Sequence, residues 1–118
     1  MKKSTYPEYR KELSRLAGKL RGEIPATMNG FNQMNKEAMA DGELARKHKE
    51  LIAVGIAVAA RCEGCLAFHV RHALHAGASR AEIVEAIGVA VMMGGGPAVM
   101  YACEALQALD EFENEPTD

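Results

Sequence analysis

Two cysteines separated by two residues, Cys62 and Cys65, are the part of this sequence best suited to chemistry. A CxxC pair can close and reopen an internal disulfide, and its thiolates can also bind a metal ion. His69 follows Cys65 by four residues, so in a helix the two sulfurs and the imidazole share one face. A helix that begins near Cys62 would also favour the thiolate form of a cysteine at its N-terminus. The spacing therefore predicts a redox-active dithiol.

His69 and Glu50 are the candidate proton carriers of this site. An imidazole can take the proton from a thiol and later return it, because its charge changes near neutral pH. Glu50 lies well before Cys62 and comes close to it only if the chain turns back near Arg61. Glu50 would then either orient His69 or act as the base itself, and the sequence leaves both roles open.

A structural zinc site is one alternative for the same residues. It would use the two CxxC thiols and His69, with a fourth ligand from Cys103, His72 or Glu50. No second CxxC and no HxxxH motif accompanies them, which weakens this interpretation. Inert, buried thiols are another alternative, and Glu50 by itself would more often be a solvated helix residue. We expect neither a cofactor nor a metal ion.

The remaining histidines and the third cysteine are given structural roles. His72 and His75 continue the helix surface after the motif, and His48 lies in a charged, solvated run. Cys103 lies in an apolar helical segment, where packing in the core is the expected role.

Helical spacing of apolar residues predicts an all-α fold of about six helices, with the CxxC motif at the N-terminus of a central helix. The alternation of Ile and Val between residues 52 and 58 resembles a strand, but the length and the charged run before it favour a helix. We expect one domain over residues 1–118, with N-terminal helices in 1–40 and the core, including the motif, in 41–113. The predicted helices cover residues 5–21, 25–40, 43–61, 62–76 and 80–93, and a sixth follows the break at Gly94 to Pro97 and ends at about Glu113.

Local signals set several of these boundaries. Pro25 suits the first position of the second helix, and Asp41 to Glu43 resemble the N-cap of the third. Gly77 is a typical C-terminal glycine, and Ser79 with Glu82 forms a capping box for the fifth helix.

Composition excludes several classes of function. The chain has 118 residues and a net charge of −2, so nothing indicates binding to nucleic acid or to an anionic membrane. Its longest apolar run, residues 51–60, is much shorter than the roughly 20 residues of a membrane span. No apolar stretch follows the positive start, so no secretory signal is predicted. We expect a cytoplasmic protein with reduced thiols.

Two segments, residues 51–60 and 83–93, are apolar on nearly every side. Helices of this kind need burial all round, which a chain of this length provides with difficulty. We therefore expect a homo-oligomer that buries them between subunits. The alternative is that both form the centre of a monomer's core.

The residues of the candidate site match a family pattern. Glu50, Cys62, Cys65 and His69 together form Glu-x11-Cys-x2-Cys-x3-His. This signature resembles that of the AhpD-like alkylhydroperoxidases, within the carboxymuconolactone decarboxylase superfamily. The flanking segments agree, and the resemblance covers about residues 43–105.

The resemblance implies an all-helical fold, assembly as trimers or hexamers, and peroxiredoxin-type chemistry. Cys65 would attack a hydroperoxide and Cys62 would resolve the sulfenic acid to a disulfide, with Glu50 and His69 relaying protons. A small dithiol or a redox protein would serve as the thiol reductant. The best-studied members have a second His before the second cysteine, where this chain has Gly64, so the relay would be shorter. The decarboxylase branch typically lacks the CxxC pair, and its lactone chemistry is the alternative enzyme function.

Overall fold

The computed structural model describes residues 4–115, and within that range all regular structure is helical. The all-α prediction is confirmed. The helices are α1 Tyr6–Glu23, α2 Pro25–Met39, α3 Arg46–Ala59, α4 Glu63–His75, α5 Arg80–Gly94 and α6 Gly96–Glu113.

Most helix boundaries have the local causes that the sequence indicates. The Ser79 hydroxyl accepts the N–H of Glu82, whose carboxylate accepts the N–H of Ser79, so the predicted capping box is present. Pro25 is the first residue of α2, and Gly77 follows the end of α4 with a φ of 95°. The predicted break at Gly94 to Pro97 is too long, since Gly95 alone, with a φ of 69°, separates α5 from α6.

The predicted start of the third helix is wrong by several residues. α3 begins at Arg46, with Ala45 as its N-cap and no side-chain cap at that position. The Asp41 carboxylate instead accepts the N–H of Arg46 across 2.6 Å, from five residues upstream. Asp41 therefore satisfies a free N–H of the first turn from outside the helix, and residues 41–45 form a bend.

The core is built from small side chains between α3, α4, α5 and α6. α3 packs against both α4 and α5, and α6 packs against α4 and α5. Alanines fill much of the interior, which lets the helix backbones approach closely. The largest fully buried apolar side chains are Tyr6, Leu66, Ile83, Leu109, Val54, Val58 and Val70.

Helix α1 packs against α4 and α6, and Tyr6 is its one buried residue. The Tyr6 hydroxyl donates to the Glu104 carboxylate at 2.6 Å, and its N–H donates to Glu111 at 2.7 Å. Burial, and after it the hydrogen bond to Glu104, raises the pKa of Tyr6. The phenol therefore stays neutral and remains a donor. Helix α2, by contrast, buries none of its residues.

The outward sides of α3 and α5 form one apolar surface. Ile56 is 62% exposed, Val89 is 60% exposed and Met93 is 74% exposed. Between the two helices lies a groove of about 460 Å³ whose lining residues are all apolar or glycine. We refer to this groove and the exposed side chains beside it as the α3/α5 face. One chain alone does not bury these segments, so the monomer-core alternative does not hold for their outer sides.

Candidate functional site

A tight reversal of the chain joins α3 to α4 and creates the site. Arg61 has a φ of 58°, in the left-handed region that is uncommon for residues other than glycine. The N–H of Cys62 then bonds to the Ala57 carbonyl at 3.0 Å, which holds the start of α4 against the end of α3. Because the two helices run back along each other, Glu50 on α3 comes level with His69 on α4. This is the turn that the sequence required for Glu50 to join the site.

Cys62 and Cys65 form a disulfide at the N-terminus of α4, with Cα atoms 5.2 Å apart. Cys62 is the N-cap residue, and its sulfur accepts the N–H of Cys65 at 3.1 Å. Both cysteines are partly buried rather than enclosed.

Glu50 is the one charged residue classed as buried in the described range, with no exposed surface. Its Oε1 lies 2.8 Å from His69 Nδ1, and its Oε2 accepts from the Arg46 guanidinium at 3.3 Å. Burial raises the pKa of Glu50, but the His69 hydrogen bond and the charges of His69, His72 and Arg46 outweigh it and lower the pKa below its ordinary value. Glu50 is therefore an ionised carboxylate that anchors one nitrogen of the His69 ring.

His72 lies against this pair, although the sequence assigned it to the helix surface. Its Nδ1 is 3.8 Å from Glu50 Oε2, and its ring meets the His69 ring edge-on with centroids 5.6 Å apart. Burial lowers the pKa of His72, an effect that Glu50 opposes without cancelling. The i, i+3 spacing of His69 and His72 on one helix was the signal that could have indicated their proximity.

Gly64 lies under helix α1. A Cβ atom built at this position would be 3.2 Å from Leu13 Cδ1, closer than ordinary van der Waals contact. A bulky residue between the two cysteines would therefore have to displace Leu13. This contact gives a physical reason for glycine where the resembling family's best-studied members have histidine.

The third cysteine lies outside the site, and its predicted core position is wrong. Cys103 is free and exposed on α6. The buried side of that helix is formed by Ala98, Ala105, Ala108, Leu109 and Phe112, and Cys103 falls off their stripe. His48 and His75 are exposed, in agreement with the sequence-based assignment.

The arrangement combines two chemical capacities. A dithiol at a helix N-terminus can undergo reversible oxidation, and a histidine fixed by a buried carboxylate can accept and return protons. His69 follows Cys65 by one helical turn on α4, so both groups face the same side of that helix. Within residues 4–115, no helix is long and apolar enough to cross a bilayer.

The described residues combine an all-helical fold, a CxxC disulfide and a histidine bonded to a buried glutamate. A sequence model of the carboxymuconolactone decarboxylase family matches residues 25–108. The chain belongs to the carboxymuconolactone decarboxylase family, and the AhpD-like resemblance is confirmed at this level.

Solved structures and curated sequences agree with this assignment. A carboxymuconolactone decarboxylase family protein from Legionella pneumophila shares 43% identity with a TM-score of 0.89, over 92% of this chain and 97% of that chain. A family member from Thermotoga maritima, whose description suggests involvement in antioxidative response, shares 25% identity with a TM-score of 0.70, over 82% of this chain and 89% of that chain. An uncharacterized protein of Cupriavidus necator is 41% identical over 99 residues, which are 84% of this chain and 88% of that protein.

Proposed function

We propose that this protein is a thiol-dependent oxidoreductase that reduces hydroperoxides and exchanges disulfides at Cys62 and Cys65. The observation that carries the proposal is the place of their disulfide at the start of α4, one turn before an imidazole bonded to a buried carboxylate. The suggested antioxidative role of the Thermotoga maritima relative supports the same chemistry.

The peroxide half of the cycle starts at Cys65. Its thiolate attacks one peroxide oxygen, the O–O bond breaks, and the sulfur loses two electrons. The products are a sulfenic acid on Cys65 and an alkoxide, which takes a proton from His69 and leaves as the alcohol. Cys65 is assigned the attack because the AhpD-like alkylhydroperoxidases that the motif resembles attack with the second cysteine. The position of His69 one turn after Cys65 on α4 supports this role.

The second half resolves and resets the site. The Cys62 thiolate attacks the Cys65 sulfur, hydroxide leaves and is protonated to water, and the disulfide forms. An external dithiol, or a redox protein that carries one, then supplies two electrons and two protons. Glu50 holds His69 in place and compensates its charge each time the ring is protonated. A reducing compartment such as the cytoplasm would keep this cycle running.

A peroxide-consumption assay with several thiol donors tests the proposal. We expect Cys65→Ser to abolish turnover with every donor. In the absence of a donor, Cys62→Ser should consume one hydroperoxide per chain and stop at the sulfenic acid. Cys103→Ser is the matched control, because that thiol is exposed and remote from the motif, and it should retain full activity. If reduced wild-type protein keeps both thiols free after hydroperoxide treatment, the proposal fails.

Two other measurements, of lactone decarboxylation and of folding in the presence of a chelator, separate the alternative functions. The Glu50–His69 pair could serve as acid and base without the thiols, as in the lactone chemistry after which the family is named. Activity of that kind would survive a double Cys62→Ser, Cys65→Ser change. A zinc-stabilised binding module would instead unfold when a chelator removes its metal.

We further propose that the α3/α5 face is covered by other copies of this chain in a homo-oligomer, with a trimer or hexamer as the expected state. The face is continuous and apolar, and it lacks the charges that a solvated helix surface carries. Introducing a charge with Val89→Glu should reduce the mass measured by light scattering. Leu44→Glu, at an exposed leucine in the bend before α3, is the matched control and should leave the mass unchanged. A monomeric wild-type protein would refute the assembly.

A further inference from the structure

Three metal-ligating side chains converge around the buried carboxylate. Glu50, His69 and His72 each offer one donor atom, and these three atoms all lie within 4.8 Å of one another. We propose that they form a binding site for a divalent first-row transition cation. Two imidazole nitrogens and one carboxylate oxygen are a donor set that both zinc and non-haem iron sites use, with further positions left open for water.

The spacing of the donors is close to what such a cation requires. Bonds of roughly 2.0–2.2 Å from one cation place neighbouring donor atoms about 3.0–3.5 Å apart. The corresponding distances here are 2.8 Å from His69 Nδ1 to Glu50 Oε1 and 3.8 Å from His72 Nδ1 to Glu50 Oε2. Because the three donor atoms lie no more than 4.8 Å apart, side-chain rotations can bring them to this spacing around one cation.

A pocket gives access to the site, and one side chain competes with a cation for the carboxylate of Glu50. A pocket of about 290 Å³, lined by Arg46, His72, His75 and Ala76, opens beside the cluster. The Arg46 guanidinium contacts Glu50 Oε2 at 3.3 Å and occupies the place where positive charge is favoured. Its side chain is 53% exposed, so it can swing into solvent as a cation enters. Arg46 is then expected to weaken cation binding through charge repulsion.

This site contains no sulfur, which distinguishes it from the zinc site considered from the sequence. Cys62 and Cys65 are joined to each other and are not among the three donors. The cation should therefore bind to the oxidised protein. His72 is the residue that distinguishes the site from a bare Glu50–His69 pair, because without it only two donors remain.

Cobalt(II) titration of oxidised, tag-free protein tests the site, with Zn²⁺ as the competing ion. We expect one Co²⁺ per chain, visible d–d absorption, and no sulfur-to-cobalt charge-transfer band. His72→Ala should weaken binding by at least about tenfold, since even outer-shell partners of a metal site contribute that much. Glu50→Gln should do the same, and Arg46→Met should tighten binding.

Controls separate this site from other ligands on the chain. His75 lines the same pocket but is not one of the three donors, so His75→Ala should leave cation binding unchanged. A double Cys62→Ser, Cys65→Ser change and Cys103→Ser should also leave binding intact. His72 is partly exposed, so its alanine variant is expected to fold even if the Glu50 variant does not. Equal affinity in wild type and His72→Ala, or binding only after reduction with a sulfur band, would overturn the inference.

Discussion

Helices α4 and α5 both pack against α3, yet they serve different ends. α4 carries the CxxC disulfide at its N-terminus and places His69 and His72 against the buried Glu50, while α5 is largely apolar with much of its surface exposed. Two helices packed on the same partner can therefore have different roles. The role of α4 depends on contacts between individual side chains, so small changes to one of those side chains should have a large effect. The outer residues of α5 are apolar and exposed, so they should affect stability only if another surface covers them.

The largest expected effect is the loss of turnover when Glu50 is neutralised. Glu50→Gln keeps the shape of the side chain but removes the charge that anchors His69, and positioned acid–base groups contribute about 10²–10⁴-fold to rate. We expect a decrease of that order in peroxide turnover by reduced enzyme. Glu85→Gln, at an exposed position on α5, is the control and should change turnover little. Equal rates in both variants would remove Glu50 from the relay.

The next effect compares buried and exposed side chains of the two helices. Leu66 on α4 has no exposed surface, and its replacement by alanine should lower the free energy of unfolding by about 2–5 kcal/mol. Met92 on α5 is 71% exposed, so Met92→Ala should cost less than about 0.5 kcal/mol in dilute, monomeric protein. Urea denaturation measures both. A cost for Met92→Ala that grows with protein concentration would indicate burial between subunits.

Substitution of one glycine in each helix should change stability by a smaller amount, downwards for α4 and upwards for α5. Gly64→His forces Leu13 aside and should destabilise the fold by about 1 kcal/mol, at the low end for overpacking because Leu13 is only partly buried. Gly88 on α5 has nothing within 4 Å of a built Cβ, so Gly88→Ala should stabilise the helix by about 0.5–1 kcal/mol. Adding Leu13→Ala to Gly64→His should recover part of the loss. Additive effects of the two changes would argue against direct contact.

The smallest effect is a pH dependence that originates on α4. The pKa of His72 is lower in the folded protein than its ordinary value of 6.5, so the unfolded chain binds more protons near that pH. The contribution of His72 to stability is therefore fully present above pH 6.5 and is lost as the pH drops through the interval down to the folded pKa. Glu50, whose pKa is also lowered, adds a second loss only below its ordinary value of 4.5. Chemical denaturation between pH 5 and 8 should show the first slope, and His72→Gln should reduce it.

The sequence predicted the parts of the site that depend on spacing along one helix. Cys62, Cys65 and His69 needed only helical periodicity to be placed together, and the helix boundaries at Pro25 and Gly77 needed only local chemistry. The full burial of Glu50 depended on the left-handed turn at Arg61. Because residue 61 is not a glycine, the sequence contains no local signal for that conformation. Predicting that turn would have required knowing that α3 and α4 pack against each other.

The misplaced residues have different physical causes. The start of the third helix is set locally by Asp41, which accepts the N–H of Arg46 from five residues upstream, and Cys103 is exposed because it lies off the apolar stripe of its own helix. Only His72 is placed by a residue of another helix, Glu50 on α3. Periodicity gives the direction of a side chain on its own helix, but it gives no information about what lies opposite.

The contact between Leu13 and Gly64 links two positions that belong to different parts of the chain. Leu13 lies before residue 25, where the match to the family begins, whereas Gly64 is inside it. A protein of this fold with a large residue between its cysteines would need a smaller partner at the position of Leu13, or an α1 set further away. The two positions should therefore change together, and a chimaera joining one member's N-terminal helix to another's core would inherit a mismatch at the dithiol.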